Sequence, residues 1–173
     1  KNIARELGDK KIESNALTNT GAVHRLMEEY PKAIAAATEA LQLGRDIGDR
    51  RAEVETLSLF SAVYGDSDDY PRALDYSGQA LKIWRELGDK LGEAKALLIL
   101  GTTHERMGTT PEAIEASMAA FKIFRDIGAR VMEANALTNI GAAFQAIGDQ
   151  ERSLDYLKQA LQIQRELGER TGE

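Results

Sequence analysis

The chain has 173 residues, of which 43% are hydrophobic and 29% charged, and its formal net charge is −6. It contains no cysteine, which excludes disulfides and cysteine-ligated zinc or iron–sulfur centres. Its acidic excess and lack of long Lys/Arg runs argue against nucleic acid or an anionic membrane as a partner, and no apolar stretch approaches the roughly 20 residues of a membrane span.

A glycine-centred phrase recurs at a constant spacing of 40 residues and organises the whole sequence. Its five copies are Leu7-Gly8-Asp9, Ile47-Gly48-Asp49, Leu87-Gly88-Asp89, Ile127-Gly128-Ala129 and Leu167-Gly168-Glu169. They delimit four complete repeats, residues 7–46, 47–86, 87–126 and 127–166. Residues 1–6 match the end of a preceding repeat and residues 167–173 the start of a further one. We therefore predict one repeat domain over residues 1–173, cut from a longer array.

Each repeat is predicted to contain two amphipathic helices. In the first repeat, apolar residues recur at helical spacing over roughly residues 9–27, helix A, and 31–46, helix B. The glycine of each phrase suits a left-handed residue at a helix end, and Asp9, Asp49 and Asp89 suit N-caps of the helix that follows. Pro31, Pro71 and Pro111 fall in the first turn of helix B, where a missing N–H is harmless.

Short connections make neighbouring helices antiparallel, so the pattern predicts eight full helices stacked in sequence order. No strand pattern, phosphate-binding loop or Ser/His/Asp set is found in the sequence. The predicted fold is an all-α solenoid without catalytic residues.

The repeat resembles the tetratricopeptide repeat, with its signature W-x2-L-G-x2-Y, A-x3-F and P in about 34 residues. The small residue of the signature is Gly21, Ser61, Gly101 and Gly141, the aromatic column is His24, Tyr64, His104 and Phe144, and the close-packing alanines include Ala33, Ala40, Ala73, Ala80, Ala113, Ala120 and Ala160. Two departures are a Leu17 column in place of Trp and a longer, 40-residue period. This longer form is similar to repeats of Pins-type adaptors, kinesin light chains and bacterial multi-domain regulators. The resemblance implies a right-handed α-α superhelix.

The resemblance further implies that the A helices line a concave groove for a protein or peptide partner. Asn19 and Asn139 match the Asn-x-Gly position with which the family holds a peptide backbone, although such residues also occur on solvated faces that bind nothing. Leu59, Leu98 and Ile99 would supply apolar anchors. The candidate partner-binding residues are Asn15, Thr18, Asn19, Arg25, Glu55, Ser58, Leu59, Lys95, Leu98, Ile99, Thr102, Asn135, Thr138 and Asn139.

The function expected from the resemblance is a non-catalytic, cytoplasmic protein-interaction scaffold without a cofactor or metal. One alternative is a sensor or regulatory module of a larger signalling protein. Another is a self-assembling structural repeat, because uncapped repeat ends expose apolar faces that favour end-to-end association.

Four features invite other interpretations. The Glu13 and Arg45 columns recur in every repeat, which favours salt bridges between helices, or compensation of the C-terminal helix dipole by the arginines, over catalysis. His24 and His104 are expected to fill the core as aromatic residues, two repeats apart and thus unable to share a metal. The turn with Asp66, Asp68 and Asp69 lacks the spacing of a calcium loop, which favours a solvated acidic turn. Trp84 is expected between adjacent B helices.

Overall fold

The structure is a computed structural model that describes residues 10–170. These residues form eight α-helices and no strand. The helices are α1 Lys10–Leu26, α2 Tyr30–Asp46, α3 Arg50–Asp66, α4 Tyr70–Leu87, α5 Lys90–Arg106, α6 Thr110–Asp126, α7 Arg130–Ala146 and α8 Gln150–Arg170. Odd-numbered helices are the A helices and even-numbered ones the B helices, as the 40-residue period predicts. The chain divides into two compact units, the first ending at Ile83 and the second starting at Trp84.

Each connection between two repeats contains a glycine in the left-handed conformation. Gly48, Gly88 and Gly128 have φ of 67°, 68° and 72°, a left-handed conformation that glycine adopts without steric cost. Gly8 lies outside the described residues. The same prediction is wrong for Gly168, because α8 continues through it to Arg170.

The aspartate caps predicted after these glycines are confirmed at two sites. Asp49 accepts hydrogen bonds from the backbone N–H groups of Arg51 and Ala52 at 3.1 and 3.0 Å, and Asp89 accepts one from Gly92 at 2.9 Å. Asp9 lies outside the described residues. At the start of α7 the capping position is Ala129, which supplies no side-chain hydrogen bond.

Within each repeat, the turn from helix A to helix B contains a second left-handed residue, which the sequence analysis missed. It is Gly108 and Gly148 in the second unit but Glu28 and Asp68, both with φ of 60°, in the first. A side chain in this region carries steric strain that glycine avoids. The proline predicted for the first turn of helix B is confirmed in α2 and α6.

Helices A and B of a repeat approach most closely at the small-residue column. A Cβ atom added to Gly21, Gly101 or Gly141 would lie 3.2 to 3.3 Å from a carbonyl oxygen of the following helix B. Ser61 takes the fourth position, and its hydroxyl donates a hydrogen bond to the carbonyl of Ala73 at 3.0 Å. The column therefore sets how closely the two helices pack.

Each unit has its own apolar core. In the first unit, Tyr76 stacks on Phe60 and Tyr64 at centroid distances of 4.7 and 5.5 Å, beside a buried cluster of Ala33, Ala37, Leu59, Phe60, Val63, Tyr64 and Ala73. In the second unit, a cluster of Ala134, Leu137, Ala160 and Ile163 packs between α7 and α8. Small residues on helix B facing larger ones on helix A characterise the first cluster.

Trp84 is buried, and its indole ring lies against a helix A. A Cβ atom on Gly92, in the first turn of α5, would overlap the ring. One repeat earlier, the same two columns hold Gly44 and Ala52, with 3.5 Å between an added Cβ on Gly44 and the Ala52 Cβ. At the second junction the large Trp84 thus faces a glycine, Gly92, and at the first junction Gly44 faces the larger Ala52.

The predicted ion pairs between helices form at two of the repeat junctions. Arg45 donates to Glu53 at 2.9 Å and Arg85 to Glu93 at 2.9 Å. Arg50 and Lys90 contact the other oxygens of these carboxylates, at 2.6 and 2.8 Å. Each carboxylate therefore joins the end of one helix B to the first turn of the next helix A.

The pKa values of these two carboxyl groups are lowered. Burial raises the pKa of Glu53, but hydrogen bonds from Arg45 and Arg50 outweigh it. The Lys90 hydrogen bond is the largest influence on the pKa of Glu93, and that of Arg85 acts in the same direction against burial. Opposite charges favour the ionised form and so stabilise the folded state above the ordinary carboxyl pKa.

At the third junction, Arg125 and Glu133 do not pair, but Arg125 lies in the last turn of α6, where a cation compensates the helix dipole. Arg125 also lies over the ring of Phe121, 5.2 Å from its centroid, and Glu133 accepts a hydrogen bond from Arg130 at 2.8 Å. Of the same two columns, Arg5 and Glu173 lie outside the described residues. Glu13, at the first position of its column, is buried.

The predicted role of the histidines as core residues is also wrong. His24 and His104 are half-buried, and Nδ1 of each contacts the turn that follows, Glu29 Oε2 at 2.6 Å and Thr109 Oγ1 at 2.8 Å. Hydrogen-bonding nitrogens favour a polar partner over the apolar core. The expectation holds for the other two members of the column, Tyr64 and Phe144, which are buried.

We expect Gly92→Ala to destabilise the protein by about 1 to 2 kcal/mol, because the added methyl group overpacks against Trp84. Thermal and urea unfolding measure the change. Gly78→Ala is the matched control: Gly78 is exposed in α4 with no atom within 4 Å of an added Cβ, so its variant should gain up to about 1 kcal/mol of helix propensity. Equal effects of the two substitutions would contradict the packing of Trp84 on Gly92.

We expect Ala129→Asp to stabilise the protein by about 1 kcal/mol, because it supplies the N-cap that α7 lacks. Urea unfolding with circular dichroism is the measurement, and Asp89→Ala should lose a similar amount. If Ala129→Asp and Asp89→Ala both lower the stability, the prediction is contradicted, and the two junctions do not share one capping geometry.

We expect Glu53→Gln to lower the free energy of unfolding by about 1 kcal/mol at pH 7. The lowered pKa of Glu53 means that its stabilisation is present above the unfolded carboxyl pKa, about 4.3, and is lost as the pH falls through the folded value. The difference from the parent should therefore shrink below about pH 4. Unfolding across pH tests this, with the exposed Glu151→Gln as a control that changes little at any pH.

Candidate partner-binding surface

The predicted partner-binding residues all lie on A helices, where a spacing of three or four residues places them along one face of each helix. In the first unit, α1 carries Asn15, Thr18, Asn19 and Arg25, and α3 carries Glu55, Ser58 and Leu59; in the second, α5 carries Lys95, Leu98, Ile99 and Thr102, and α7 carries Asn135, Thr138 and Asn139.

In the first unit, the free hydrogen-bonding groups of this face are amides. Asn15 and Asn19 are exposed, and neither side chain makes a hydrogen bond to a residue that the structure describes. Thr18 is engaged: its Oγ1 lies 2.9 Å from Oγ1 of Thr56 and joins α1 to α3. Ser58 donates to the carbonyl of Val54 within its own helix, at 2.8 Å.

The two charged residues that the sequence predicts on this face of the first unit, Arg25 and Glu55, both have partners. Arg25 donates to Asp66 at 2.8 Å, and Arg51 donates to the predicted site residue Glu55 at 3.3 Å. Lys11 lies 3.0 Å from Asp49. The N–H of Ala52 and the ammonium group of Lys11 lower the pKa of Asp49. Neither Arg25 nor Glu55 is therefore an isolated charge.

Leu59 does not serve as an exposed anchor. It is 7% exposed and belongs to the core of the first unit. Its Cδ2 occupies the space above Gly21, 2.8 Å from where a Cβ would stand. Because Gly21 has no side chain, Leu59 fills the space above it and is buried in the core. We therefore leave Leu59 out of the binding surface.

In the second unit, apolar and free polar groups alternate on the face. Leu98 and Ile99 are half-buried, so part of each remains accessible. Lys95 and Asn135 are exposed, and within the described part of the chain neither has a hydrogen bond or ion pair. Thr138 is exposed and donates to the carbonyl of Ala134 at 3.0 Å. This face offers a cation and an amide beside apolar surface.

The two asparagines of the Asn-x-Gly position have different surroundings. Asn139 is half-buried, and its Nδ2 donates to Oγ1 of Thr102 at 3.0 Å. Asn19 is exposed with a free amide. Asn139 therefore joins α7 to α5 through one N–H of its amide, and its second N–H and its oxygen make no hydrogen bond to a described residue.

Sequence reasoning missed one residue that connects two A helices, Thr56. Thr56 is fully buried and bonded to both Thr18 and the carbonyl of Ala52. The available signal was a hydroxyl in a column otherwise held by Ala16, Ala96 and Ala136.

Each aspartate of the acidic turn has a side-chain partner. Asp66 pairs with Arg25, Asp68 accepts a hydrogen bond from the hydroxyl of Tyr70 at 2.5 Å, and Asp69 accepts from Arg72 at 2.7 Å. In the described part of the chain, no three His, Cys, Asp or Glu residues are grouped as metal ligands. None of the described helices is both long enough and apolar enough to cross a membrane.

Several solved structures have a similar arrangement of helices. The apo form of RapI matches 97% of this chain and 61% of its own, with a TM-score of 0.89 and 16% identity. BtubC from P. vanneervenii matches 92% and 66%, with a TM-score of 0.84 and 15% identity. A Rap protein complexed with Competence and Sporulation Factor matches 90% and 43%, with a TM-score of 0.83 and 17% identity. At these identities the likeness shows the fold alone.

This chain spans less than two thirds of each of these structures. The comparison with curated proteins found no match. The tetratricopeptide repeat family model matches three overlapping segments, residues 12–86, 53–126 and 92–166. The chain belongs to the tetratricopeptide repeat family and has its all-α fold of successive helix pairs.

Proposed function

We propose that this chain is a non-catalytic, cytoplasmic scaffold that binds a protein or peptide segment on the exposed faces of its A helices. Repeats of this family are generally interaction modules without catalytic activity. The observation that carries the proposal is the face of α5 and α7, where the free side chains of Lys95 and Asn135 flank the accessible parts of Leu98 and Ile99.

This combination suits an extended or helical segment. Apolar side chains of the partner would cover Leu98 and Ile99, and a carboxylate or carbonyl group would accept from Lys95 or Asn135. In the first unit, the free amide of Asn19 can donate to and accept from a peptide backbone at once.

Preorganisation would contribute much of the affinity. The helices already hold these side chains at fixed positions, and ion pairs such as Arg25 with Asp66 fix neighbouring charges. The partner would therefore bear most of the ordering entropy, which lowers the net cost of association.

The solved neighbours support this function at a coarse level. A similar Rap protein is complexed with Competence and Sporulation Factor, and another similar structure is a signal transduction ATPase from Pyrococcus horikoshii with a tetratricopeptide repeat sensor. The second supports the alternative expected from sequence, a sensor module within a larger signalling protein.

A second candidate function is self-association, favoured by one observation on α1. Ile12 and Val23 are 50% and 55% exposed, whereas Val63, in the column of Val23, is fully buried. A helix of a second copy could cover this face. If the chain self-associates in this way, its sedimentation coefficient should rise with protein concentration in sedimentation velocity. The variant Val23→Asn should abolish this rise without unfolding the chain.

We expect Leu98→Ala combined with Asn135→Ala to weaken binding of peptides selected by proteome-peptide display at least about tenfold, since both an anchor and a hydrogen bond are lost. Fluorescence anisotropy measures the affinity. Asn19→Ala with Asn139→Ala tests the amides in the same way, and Gln42→Ala, an amide change on helix B, is the control. Enriched peptides that bind all of these variants equally well would contradict binding on the A helices.

A further inference from the structure

The third repeat contains a hollow that takes no part in the proposed function. It lies between α5 and α6, inside the second unit, and has a volume of about 290 Å³. This is near the lower end of the volumes of ligand pockets, which suits a single side chain. Among the residues that line the hollow are Leu100, His104, Glu112, Glu115 and Ala116.

In the second repeat, a tyrosine ring occupies the corresponding space. Tyr76 stacks on Phe60 and Tyr64, at centroid distances of 4.7 and 5.5 Å. The same three columns of the third repeat hold, in that order, Ala116, Leu100 and His104. All three of these residues line the hollow. The hollow is therefore the space of an aromatic ring that this repeat lacks.

The missing ring leaves its neighbours uncovered. Phe60 and Tyr64 are buried, whereas Leu100 and His104, in the same columns, are half-buried. The fourth repeat has the ring again, because Tyr156 stacks there on a phenylalanine at a centroid distance of 5.5 Å. An aromatic side chain from another molecule would restore the missing burial in the third repeat.

The charge beside the hollow is also reversed in the third repeat. Arg72 and Arg152, in the repeats that have the ring, each place a guanidinium group over an aromatic ring, 4.3 and 4.4 Å from its centroid. Glu112 occupies this column in the third repeat. Glu112 and Glu115 are exposed, and neither carboxylate has a hydrogen bond or ion pair with a described residue. The third repeat therefore lacks both the ring and the cation beside it.

The other polar groups of the lining are engaged within the chain. Nδ1 of His104 lies 2.8 Å from Oγ1 of Thr109, which fixes the imidazole ring at the side of the hollow. Arg85, at the end of α4, donates from Nε to Glu93 at 2.9 Å. The two carboxylates of α6 are thus the charged groups of the hollow that await a partner.

We propose that this hollow, the α5–α6 pocket, binds a protein segment that inserts one aromatic side chain and carries a Lys or Arg beside it. The ring takes the position that Tyr76 has in the second repeat, against Leu100 and His104. The cation approaches Glu112 and Glu115. Burial of the ring supplies affinity, and the carboxylates select a basic partner.

The pocket is separate from the binding face of the proposed function. Leu97, Leu100 and His104 of the pocket lie at spacings of three and four residues along α5. Lys95 and Leu98 lie on the opposite side of the same helix, because the helical repeat is 3.6 residues. A segment in the pocket therefore leaves that face uncovered.

Histidine ring NMR tests the proposal on the full chain. The protein has two histidines, His24 and His104, in the same column. In the repeat of His24, Lys32 and Ala35 stand at the two carboxylate positions. The probe is an alanine-rich peptide of about 15 residues, long enough for some helix in water, with a single tyrosine flanked by lysines one helical turn away.

We expect this peptide to shift the Cε1–H signal of His104 through the ring current of the tyrosine, with saturation. The signal of His24 should stay in place, because its repeat lacks the carboxylates. Equal shifts of both signals, or no shift of His104, would overturn the proposal.

Two control peptides separate the contributions of the ring and the charge. Replacing the tyrosine by serine should weaken binding at least about tenfold, as measured by fluorescence anisotropy. Replacing the lysines by glutamates should weaken it at least about threefold at low salt, and this difference should shrink at high salt because the carboxylates are exposed. A peptide without tyrosine that binds as well as the parent peptide contradicts the proposal.

The other repeats supply matched protein variants. Ala116→Tyr copies the second and fourth repeats, fills the pocket from within, and should weaken peptide binding at least about tenfold. The fold should be retained, because two repeats already hold a tyrosine in this column. Glu112→Lys with Glu115→Ala copies the first repeat and should weaken binding at least about threefold at low salt.

Two further variants test whether the peptide binds at this pocket. Asp155→Ala removes an exposed carboxylate from the Glu115 column of the fourth repeat, where a tyrosine already fills the space, and should leave the affinity unchanged. Leu98→Ala with Asn135→Ala should also leave it unchanged, which separates this site from the proposed function. Circular dichroism checks the folding of each variant. Undiminished binding to a folded Ala116→Tyr variant, or loss of binding only in the Leu98 variant, would show that the pocket is not the site.

Discussion

The structure depends on the close approach of two helix backbones within each repeat. At Gly21, Gly101 and Gly141, a side chain would press against a carbonyl oxygen of the following helix B. Ser61 meets the same constraint by donating its hydroxyl to the carbonyl that it approaches. Because this backbone contact fixes each helix A against its helix B, the free side chains on α1, α5 and α7 are held at fixed positions.

Features that repeat with the 40-residue period could be predicted from the sequence. The helix pairs, the left-handed glycines at Gly48, Gly88 and Gly128, and the pair of Arg45 with Glu53 each depend on residues close in the chain. Local propensity and spacing are sufficient for such features.

The burial and orientation of a side chain could not be predicted from its own position in the repeat, because they depend on which residue lies opposite on a neighbouring helix. Leu59 is buried because Gly21 leaves space for it, and Trp84 turns to α5 because Gly92 has no side chain. Asn139 resembles Asn19 in sequence position but meets Thr102 on the neighbouring helix A. The family resemblance indicated which face carries the candidate site, while the availability of each side chain required the structure.

Two kinds of surface arise from one repeated backbone. The A helices present amides, a lysine and partly covered aliphatic groups, whereas the exposed side chains on the B helices of the second unit include carboxylates such as Glu115 and Asp155. The core columns remain small and similar in both units, as Ala33, Ala73 and Ala113 illustrate. Exposed columns are free to vary because they do not affect the approach of the backbones.

The side-chain contacts within each unit are short in sequence. Arg45 and Glu53 are 8 residues apart, and even the link from Arg25 to Asp66 spans only 41. Low contact order of this kind reduces the loop-closure entropy that slows the folding of other topologies. It also means that duplication of the segment 7–46, which carries both Glu13 and Arg45, would recreate a contact of the Arg45–Glu53 kind at the new junction.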